Sequence, residues 1–262
     1  MNGVAQSSLP DFLRPLRRLK RRITSYIEAR TLERRVLSGH RLVPETALTE
    51  CYRQTLALLK DRAGEEPLGE YLEFGVCHGT SFACMHRATV DMGLPNMRLF
   101  GFDSFAGLPP EAEGPDGGGI WREGQYRSSL NFTRNFLDRA GIDWSRVILT
   151  KGWFKDTLTP HFASRHSIRK ASVIMIDCDI YSSTREALAF CEPLIADQAV
   201  ILFDDWHSGD DLAARNQGEK RAFHEFLVHN PQFRAKPLPS YTANAEVFLI
   251  ERMPVRYRAA AE

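Results

Sequence analysis

Short apolar runs alternate with helix-like segments along most of this chain, and that alternation limits its fold more than any other feature. A strand with one solvent-exposed face alternates apolar and polar residues, and none of these runs does so. We therefore expect strands buried on both faces of a parallel sheet. The runs are 69–74, 98–102, 146–150, 172–176 and 199–203. Helical periodicity covers 45–62, 81–91, 129–140, 183–194 and 219–228, and 233–239 with 246–251 reads as an antiparallel pair at one sheet edge. The pattern predicts a Rossmann-like, doubly wound α/β sheet.

The N-terminal segment differs from the rest of the chain. Leu16, Leu19, Ile23 and Ile27 recur at helical spacing among arginines, which predicts a basic amphipathic helix. We therefore expect a basic arm at 1–40, helical or partly disordered, ahead of one domain at 41–262. The arm is expected to pack on its own domain or on a second subunit. Peripheral contact with an anionic membrane surface is the alternative.

Composition excludes several classes of protein. Residues 1–45 carry ten Lys/Arg against four Asp/Glu, whereas the remainder carries 24 against 29, so the main body is slightly acidic and no nucleic-acid partner is expected. No apolar run approaches the roughly 20 residues of a membrane-spanning helix. The five cysteines form no CxxC pair, which argues against a zinc site and for a reducing compartment, by default the cytoplasm.

The residues after the first two strands suggest a nucleoside site. Glu73-Phe-Gly75-Val-Cys-His-Gly79-Thr-Ser81 places glycines where the backbone must turn sharply, and its spacing is not the GxGxxG of dinucleotide sites. Asp103, which Ser104 follows, ends the second strand, where an acid can accept hydrogen bonds from both ribose hydroxyls. Either signal alone has a purely structural explanation, and together they favour an adenosine ligand.

The third strand is followed by Gly152, Trp153 and Phe154. A glycine with an adjacent aromatic residue at a strand end suits a flat adenine ring. For Phe154 a place in the core is the better interpretation.

The fourth and fifth strands deliver carboxylates to the same edge of the sheet. Asp177 follows one strand, and Asp204 with Asp205 follows the other. Such a cluster repels itself unless a cation lies within it, and hard oxygen ligands suit Mg²⁺. Asp179 is interpreted as a cap of the following helix. His207 is a further candidate ligand or base.

Five motifs in this order resemble the macrocin O-methyltransferase family, class I S-adenosylmethionine-dependent enzymes that methylate antibiotic deoxysugars. The similarity covers about residues 40–251. The motifs are Glu73-Phe-Gly-Val-x-x-Gly-x-Ser, Phe102-Asp-Ser-Phe-x-Gly-Leu-Pro, Gly152-Trp-Phe-x-Asp-Thr-Leu, Ile176-Asp-x-Asp-Ile-Tyr-Ser-Ser-Thr and Phe203-Asp-Asp-Trp.

The resemblance implies a seven-stranded, mostly parallel sheet with an antiparallel edge strand, an oligomer, and a Mg²⁺ held by Asp177, Asp204 and Asp205. It also implies an S-adenosylmethionine site. The expected cofactor-binding residues are Glu73, Gly75, Gly79, Ser81, Asp103, Ser104, Gly152 and Trp153.

The expected reaction is methylation of a hydroxyl on a sugar or a similar vicinal diol. Metal chelation of such an oxygen lowers its pKa, and Asp177 or His207 is the expected proton acceptor. The loop 109–124 is long enough to cover the acceptor. The alternatives are an NAD-type oxidoreductase, which lacks its expected glycine motif here, and a non-catalytic binding module on the same fold.

Overall fold

The computed structural model describes residues 14–207 and 217–253, which form one α/β layer structure. The helices are α1 (Arg14–Leu37), α2 (Glu45–Ala63), α3 (Thr80–Asp91), α4 (Leu130–Arg139), α5 (Phe154–Thr157), α6 (Pro160–Arg165), α7 (Tyr181–Cys191) and α8 (Gly218–His229). The strands are β1 (Glu70–Phe74), β2 (Leu99–Asp103), β3 (Val147–Lys151), β4 (Ala171–Ile176), β5 (Gln198–Phe203), β6 (Phe233–Leu238) and β7 (Glu246–Arg252).

The seven strands form one sheet in the order β3-β2-β1-β4-β5-β7-β6. Strands β1 to β5 pair in parallel, whereas β7 runs antiparallel to both β5 and β6. The predicted doubly wound sheet with an antiparallel edge is therefore confirmed. The strand order reverses between β1 and β4, and the carboxyl ends of the strands on either side of such a point form the usual ligand crevice.

Both faces of the sheet are covered, as the uninterrupted apolar runs predicted. On one face, Tyr52 and Leu56 of α2 and Phe82 of α3 pack in a core cluster with Val173 and Val200. On the other face, a second cluster joins α7 and α8 to the alternate strand residues; its members include Phe74, Phe102, Ile174, Leu188, Phe203 and Phe223.

Helix α1 is present where the sequence predicts a helix, and it packs on the domain through a side other than its apolar one. Ile23 and Ile27 are 52% and 58% exposed, whereas Ser25, Ala29 and Glu33 are buried. On the buried side, the Ser25 hydroxyl donates to the Gly124 carbonyl oxygen, and Glu33 Oε1 accepts from the Ser129 N–H and hydroxyl. Leu16 and Leu19 have side chains outside the described set. None of the described helices is long and apolar enough to cross a membrane.

Candidate active site

The turn after β1 packs directly on the end of β4. Gly75 has a φ of 97°, and a Cβ there would lie 1.7 Å from the carbonyl oxygen of Asp177. Gly79 has a φ of 89° and is the N-cap of α3. Glycine is needed at position 75 because no side chain fits between the two strand ends. The predicted glycine turn is thus present, and it packs tightly on the end of β4.

Asp103 ties the end of β2 to this turn. Its Oδ2 accepts from the Cys77 N–H at 2.7 Å, and its Oδ1 accepts from the Phe105 N–H at 2.5 Å. Burial raises the pKa of Asp103, and these backbone bonds oppose the shift. Bonds from the Val76 backbone and the Ser104 side chain also lower the pKa of this carboxyl group, so its oxygens face several donors at the end of β2.

Ser104 is engaged in its own turn. Its hydroxyl donates to the Gly107 carbonyl oxygen at 2.9 Å and accepts from the Ala106 N–H at 3.0 Å. The side chain therefore shapes the loop after β2, and its predicted part in cofactor binding stays a prediction.

Glu73 lies fully buried beneath the glycine turn. It accepts from the Ser81 hydroxyl at 2.7 Å and from the Tyr71 hydroxyl at 2.5 Å, and the Tyr52 hydroxyl lies 2.9 Å from that of Tyr71. Burial raises the pKa of Glu73 to about 8, and the two hydroxyl donors oppose that rise. Glu73 and Ser81 thus form one buried network that supports the turn from below.

The end of β3 lies beside Asp103. The Gly152 N–H donates to the Asp103 carbonyl oxygen at 3.0 Å. Trp153 is 36% exposed, so its ring is available to another flat group. Phe154 packs its ring against Phe74 with centroids 5.8 Å apart, which confirms the prediction that it belongs to the core.

Three carboxylates meet at the ends of β4 and β5. Asp177, Asp204 and Asp205 each offer one oxygen, and these oxygens lie within 4.8 Å of one another. The Tyr241 hydroxyl donates to Asp204 Oδ1. Burial and then the neighbouring carboxylates raise the pKa of Asp177 well above its ordinary value and that of Asp204 to about 6.

Asp179 belongs to the same cluster, and its predicted role as a helix cap is wrong. The N-cap of α7 is Ile180, which makes no side-chain cap bond. The cap comes instead from Asp116 in the loop, whose carboxylate accepts from the Ser182 N–H at 3.0 Å and from its hydroxyl. Asp179 has a φ of 65° and is buried, and burial and Asp205 raise its pKa.

A fifth carboxylate, that of Glu219 at the start of α8, was not expected from the sequence. Its Oε2 accepts from the Asp205 N–H at 3.0 Å. Burial raises its pKa well above the ordinary value, followed by the charges of Asp205 and Asp204. No motif marks this glutamate, because its contact with Asp205 arises only in the folded chain.

The donor set fits a hard divalent cation. The clustered atoms are carboxylate oxygens, and the charge interactions that raise the pKa of Asp177 come from other carboxyl groups. Mutual repulsion of this kind favours protonation or a bound cation. Oxygen-only coordination suits Mg²⁺ better than a thiophilic metal. Asp177, Asp204 and Asp205 would be the residues that hold it.

His207 lies outside this carboxylate group. Its Nε2 is 3.4 Å from Glu246 Oε2, and 46% of its side chain is exposed. It follows Asp205 by two residues but contacts the antiparallel edge of the sheet.

The loop at 109–124 lies across the carboxylates. A small cavity lies between the loop and the carboxylates. It is lined by Gly117, Gly118, Ile120, Trp121, Asp179, Asp205, Gln217 and Gly218. The base of the loop is held by α1, since the Ser25 hydroxyl donates to the Gly124 carbonyl oxygen at 2.7 Å. Arg122 also pairs with Glu28 at 3.4 Å.

Sheet order, crevice and strand-end residues together define the class I methyltransferase fold. Residues 21–226 match the Macrocin-O-methyltransferase (TylF) family, and the chain belongs to this family. The matched region begins within α1, so half of the predicted arm falls inside it.

Solved structures agree on the fold. The O-methyltransferase NovP superposes with a TM-score of 0.62 at 22% identity, over 79% of this chain and 80% of that one. The calicheamicin methyltransferase CalS11 superposes with a TM-score of 0.57 at 20% identity, over 76% of this chain and 78% of that one.

Two curated relatives come from Streptomyces. The 8-demethyl-8-(2,3-dimethoxy-alpha-L-rhamnosyl)-tetracenomycin-C 4'-O-methyltransferase of Streptomyces olivaceus is 30% identical over 145 residues, 53% of each protein. The demethyldecarbamoylnovobiocin O-methyltransferase of Streptomyces niveus is 26% identical over 154 residues, 56% of each. The chain thus spans about half the length of the curated relatives it matches.

Proposed function

We propose that this protein is a Mg²⁺-dependent O-methyltransferase that transfers a methyl group from S-adenosylmethionine to a hydroxyl of a sugar-like small molecule. The observation that carries the proposal is the group of three aspartates within 4.8 Å, at the same sheet edge as the glycine turn and Asp103. Membership of the macrocin O-methyltransferase family supports it. The names of the two Streptomyces relatives point to natural-product acceptors.

In this proposal the cofactor lies along the ends of β1 to β3. Asp103 accepts hydrogen bonds from the ribose hydroxyls, and Trp153 with Gly152 borders the adenine. The methionine part lies over Gly75 and Gly79, above the buried pair of Glu73 and Ser81. This order directs the sulfonium toward Asp177, as methyl transfer to an oxygen at the aspartates requires.

The reaction is an in-line displacement, so an acceptor oxygen must be aligned and lose its proton. The aspartates would hold a Mg²⁺, which would supply a Lewis acid that lowers the pKa of an acceptor hydroxyl and would favour a vicinal diol. Asp177 is the proposed proton acceptor, and Asp179 is a second carboxylate at the cavity. His207 is less suited because its ring contacts Glu246. The loop 109–124, with Trp121 on the cavity, excludes water from the acceptor.

We also propose a homo-oligomer in the cytoplasm. The exposed Ile23, Tyr26 and Ile27 on α1 provide an apolar surface for a second subunit, and peripheral membrane contact through α1 is the competing use of that surface. All five cysteines are free thiols, which suits a reducing compartment. The division into an arm at 1–40 and a domain at 41–262 stays a prediction.

A methyl-transfer assay tests the proposed activity. Isotope-labelled S-adenosylmethionine is incubated with nucleotide sugars, free deoxysugars and catechols, with Mg²⁺ or with EDTA. We expect Mg²⁺-dependent labelling of a sugar hydroxyl. Calorimetric titration with S-adenosylmethionine and with NAD separates the alternatives, because NAD binding without S-adenosylmethionine binding would point to an oxidoreductase. Cofactor binding without transfer to any acceptor would favour the non-catalytic module.

A further inference from the structure

Glu219 is a buried ionisable residue for which the proposed chemistry has no use. It is the second residue of α8, and only 1% of its surface is exposed. Its strongest charge interactions are with Asp205 and Asp204, which carry the same sign. Burying a carboxylate among like charges is costly, so this position calls for a compensating role.

One oxygen of Glu219 fastens the end of β5 to α8. Oε2 accepts from the Asp205 N–H at 3.0 Å, and the carboxyl also bonds the Cys178 backbone. Cys178 stands between Asp177 and Asp179 at the end of β4. The side chain thus connects the backbones of the two loops that carry the clustered aspartates.

The other carboxyl oxygen of Glu219, Oε1, makes no comparable bond in the described part of the chain. Oε1 is fully buried and has no hydrogen-bond partner among the described residues. The first turn of a helix stabilises an acid through its free N–H groups. That effect explains why a carboxylate is tolerated at this position. It does not explain why Oε1 of a buried residue has no partner in the described part of the chain, since a glutamine could make the same backbone bonds with one oxygen.

We propose that Glu219 is a positioning residue of the cation site, which holds the backbones of Asp205 and Cys178 in place and, with a cation bound, adds the negative charge of its carboxylate to that of the three ligand aspartates. The inference rests on the proposed function, because it presupposes that these aspartates bind Mg²⁺. Groups behind the ligands of a metal orient them and tune their basicity, and their replacement usually lowers metal affinity about 10–100-fold.

Two substitutions separate the backbone bonds from the charge. Glu219→Gln retains an oxygen for the Asp205 N–H but removes the charge, whereas Glu219→Ala removes both. Glu225→Gln is the control, because Glu225 lies on the same helix with 40% of its side chain exposed and pairs with Arg221. Each full-length variant is titrated with Mg²⁺ alone by calorimetry, and its melting temperature is measured in EDTA and in Mg²⁺.

We expect Glu219→Gln to raise the Mg²⁺ dissociation constant roughly 10-fold and to reduce the Mg²⁺-induced rise in melting temperature, with Glu219→Ala weaker still and Glu225→Gln unchanged. If Glu219→Ala does not fold, Glu219→Gln decides the question alone. Mg²⁺ binding by Glu219→Gln as tight as that of the wild type would overturn the inference and leave the proposed function intact. A wild type that does not bind Mg²⁺ would refute the proposed metal itself.

Discussion

Replacing Glu73 by glutamine should change how the stability of this protein depends on pH. Glu73 is completely buried, and burial raises the pKa of its carboxyl to about 8. The folded state therefore holds a proton that the unfolded chain releases above about pH 4.3. A raised carboxyl pKa contributes stability at low pH, and this contribution is lost as the pH rises toward the folded-state value.

The magnitude follows from the separation of the two pKa values. Between pH 5 and pH 8, one extra proton bound by the folded state lowers the free energy of unfolding by about 1.4 kcal/mol per pH unit. From pH 5.5 to 7.5 the loss is roughly 3 kcal/mol. Glutamine resembles the protonated acid, and the hydroxyls of Tyr71 and Ser81 can donate to its oxygen or accept from its amide.

Urea unfolding at several pH values in metal-free buffer measures this effect. The difference in free energy between Glu73→Gln and the wild type should be small near pH 5 and should grow in favour of the variant up to pH 8. Glu50→Gln, a change on the exposed side of α2, should follow the wild type at every pH. A constant difference between Glu73→Gln and the wild type would show that Glu73 is ionised throughout and would refute the reasoning.

Four further substitutions test the site. Asp103→Ala should weaken S-adenosylhomocysteine binding in calorimetry by about 1.5–3 kcal/mol, and unchanged affinity would remove Asp103 from the cofactor site. Asp204→Asn should abolish Mg²⁺-dependent turnover with little effect on cofactor affinity; near-normal turnover in EDTA would argue against a catalytic metal. Gly75→Ala should cost roughly 3 kcal/mol or more of unfolding free energy, because its Cβ would meet the end of β4; a loss below ~1 kcal/mol in urea unfolding would contradict this. Ser25→Ala should speed amide hydrogen exchange in 108–125, whereas Thr31→Ala, on the exposed side of α1, should not; equal exchange in both would show that α1 does not hold the loop.

Local signals in the sequence were sufficient to predict the strands of the sheet. A strand buried on both faces consists of apolar residues throughout, so β4 and β5 are recognisable without any knowledge of their neighbours. The acids and glycines directly after these strands are equally local. Their meeting at one edge follows from parallel pairing, which is why the group of Asp177, Asp204 and Asp205 could be predicted.

Contacts between distant segments were beyond the reach of the sequence. Apolar periodicity identified α1 as amphipathic but left open what the helix packs on, and in the folded chain it meets polar segments through Ser25 and Glu33. Asp179 has the residue type and place of a helix cap, but Asp116, 66 residues away from Ser182, takes that role. The short α5 and α6 span too few turns to show a helical period.

The clustering of carboxyl groups at the ends of β4 and β5 suits a cation, but it also destabilises the folded chain. Cys77, Phe105, Tyr126 and Asp179 have positive φ values without being glycine, and Asp179 adds a buried carboxyl group to that strain. Strain of this kind persists only where the surrounding structure enforces it. A ligand that binds only the folded state returns stability, about 2.7 kcal/mol at a hundred times its dissociation constant. Mg²⁺ should therefore raise the unfolding free energy of this protein even without cofactor or acceptor, because it relieves repulsion that is already present in the folded chain.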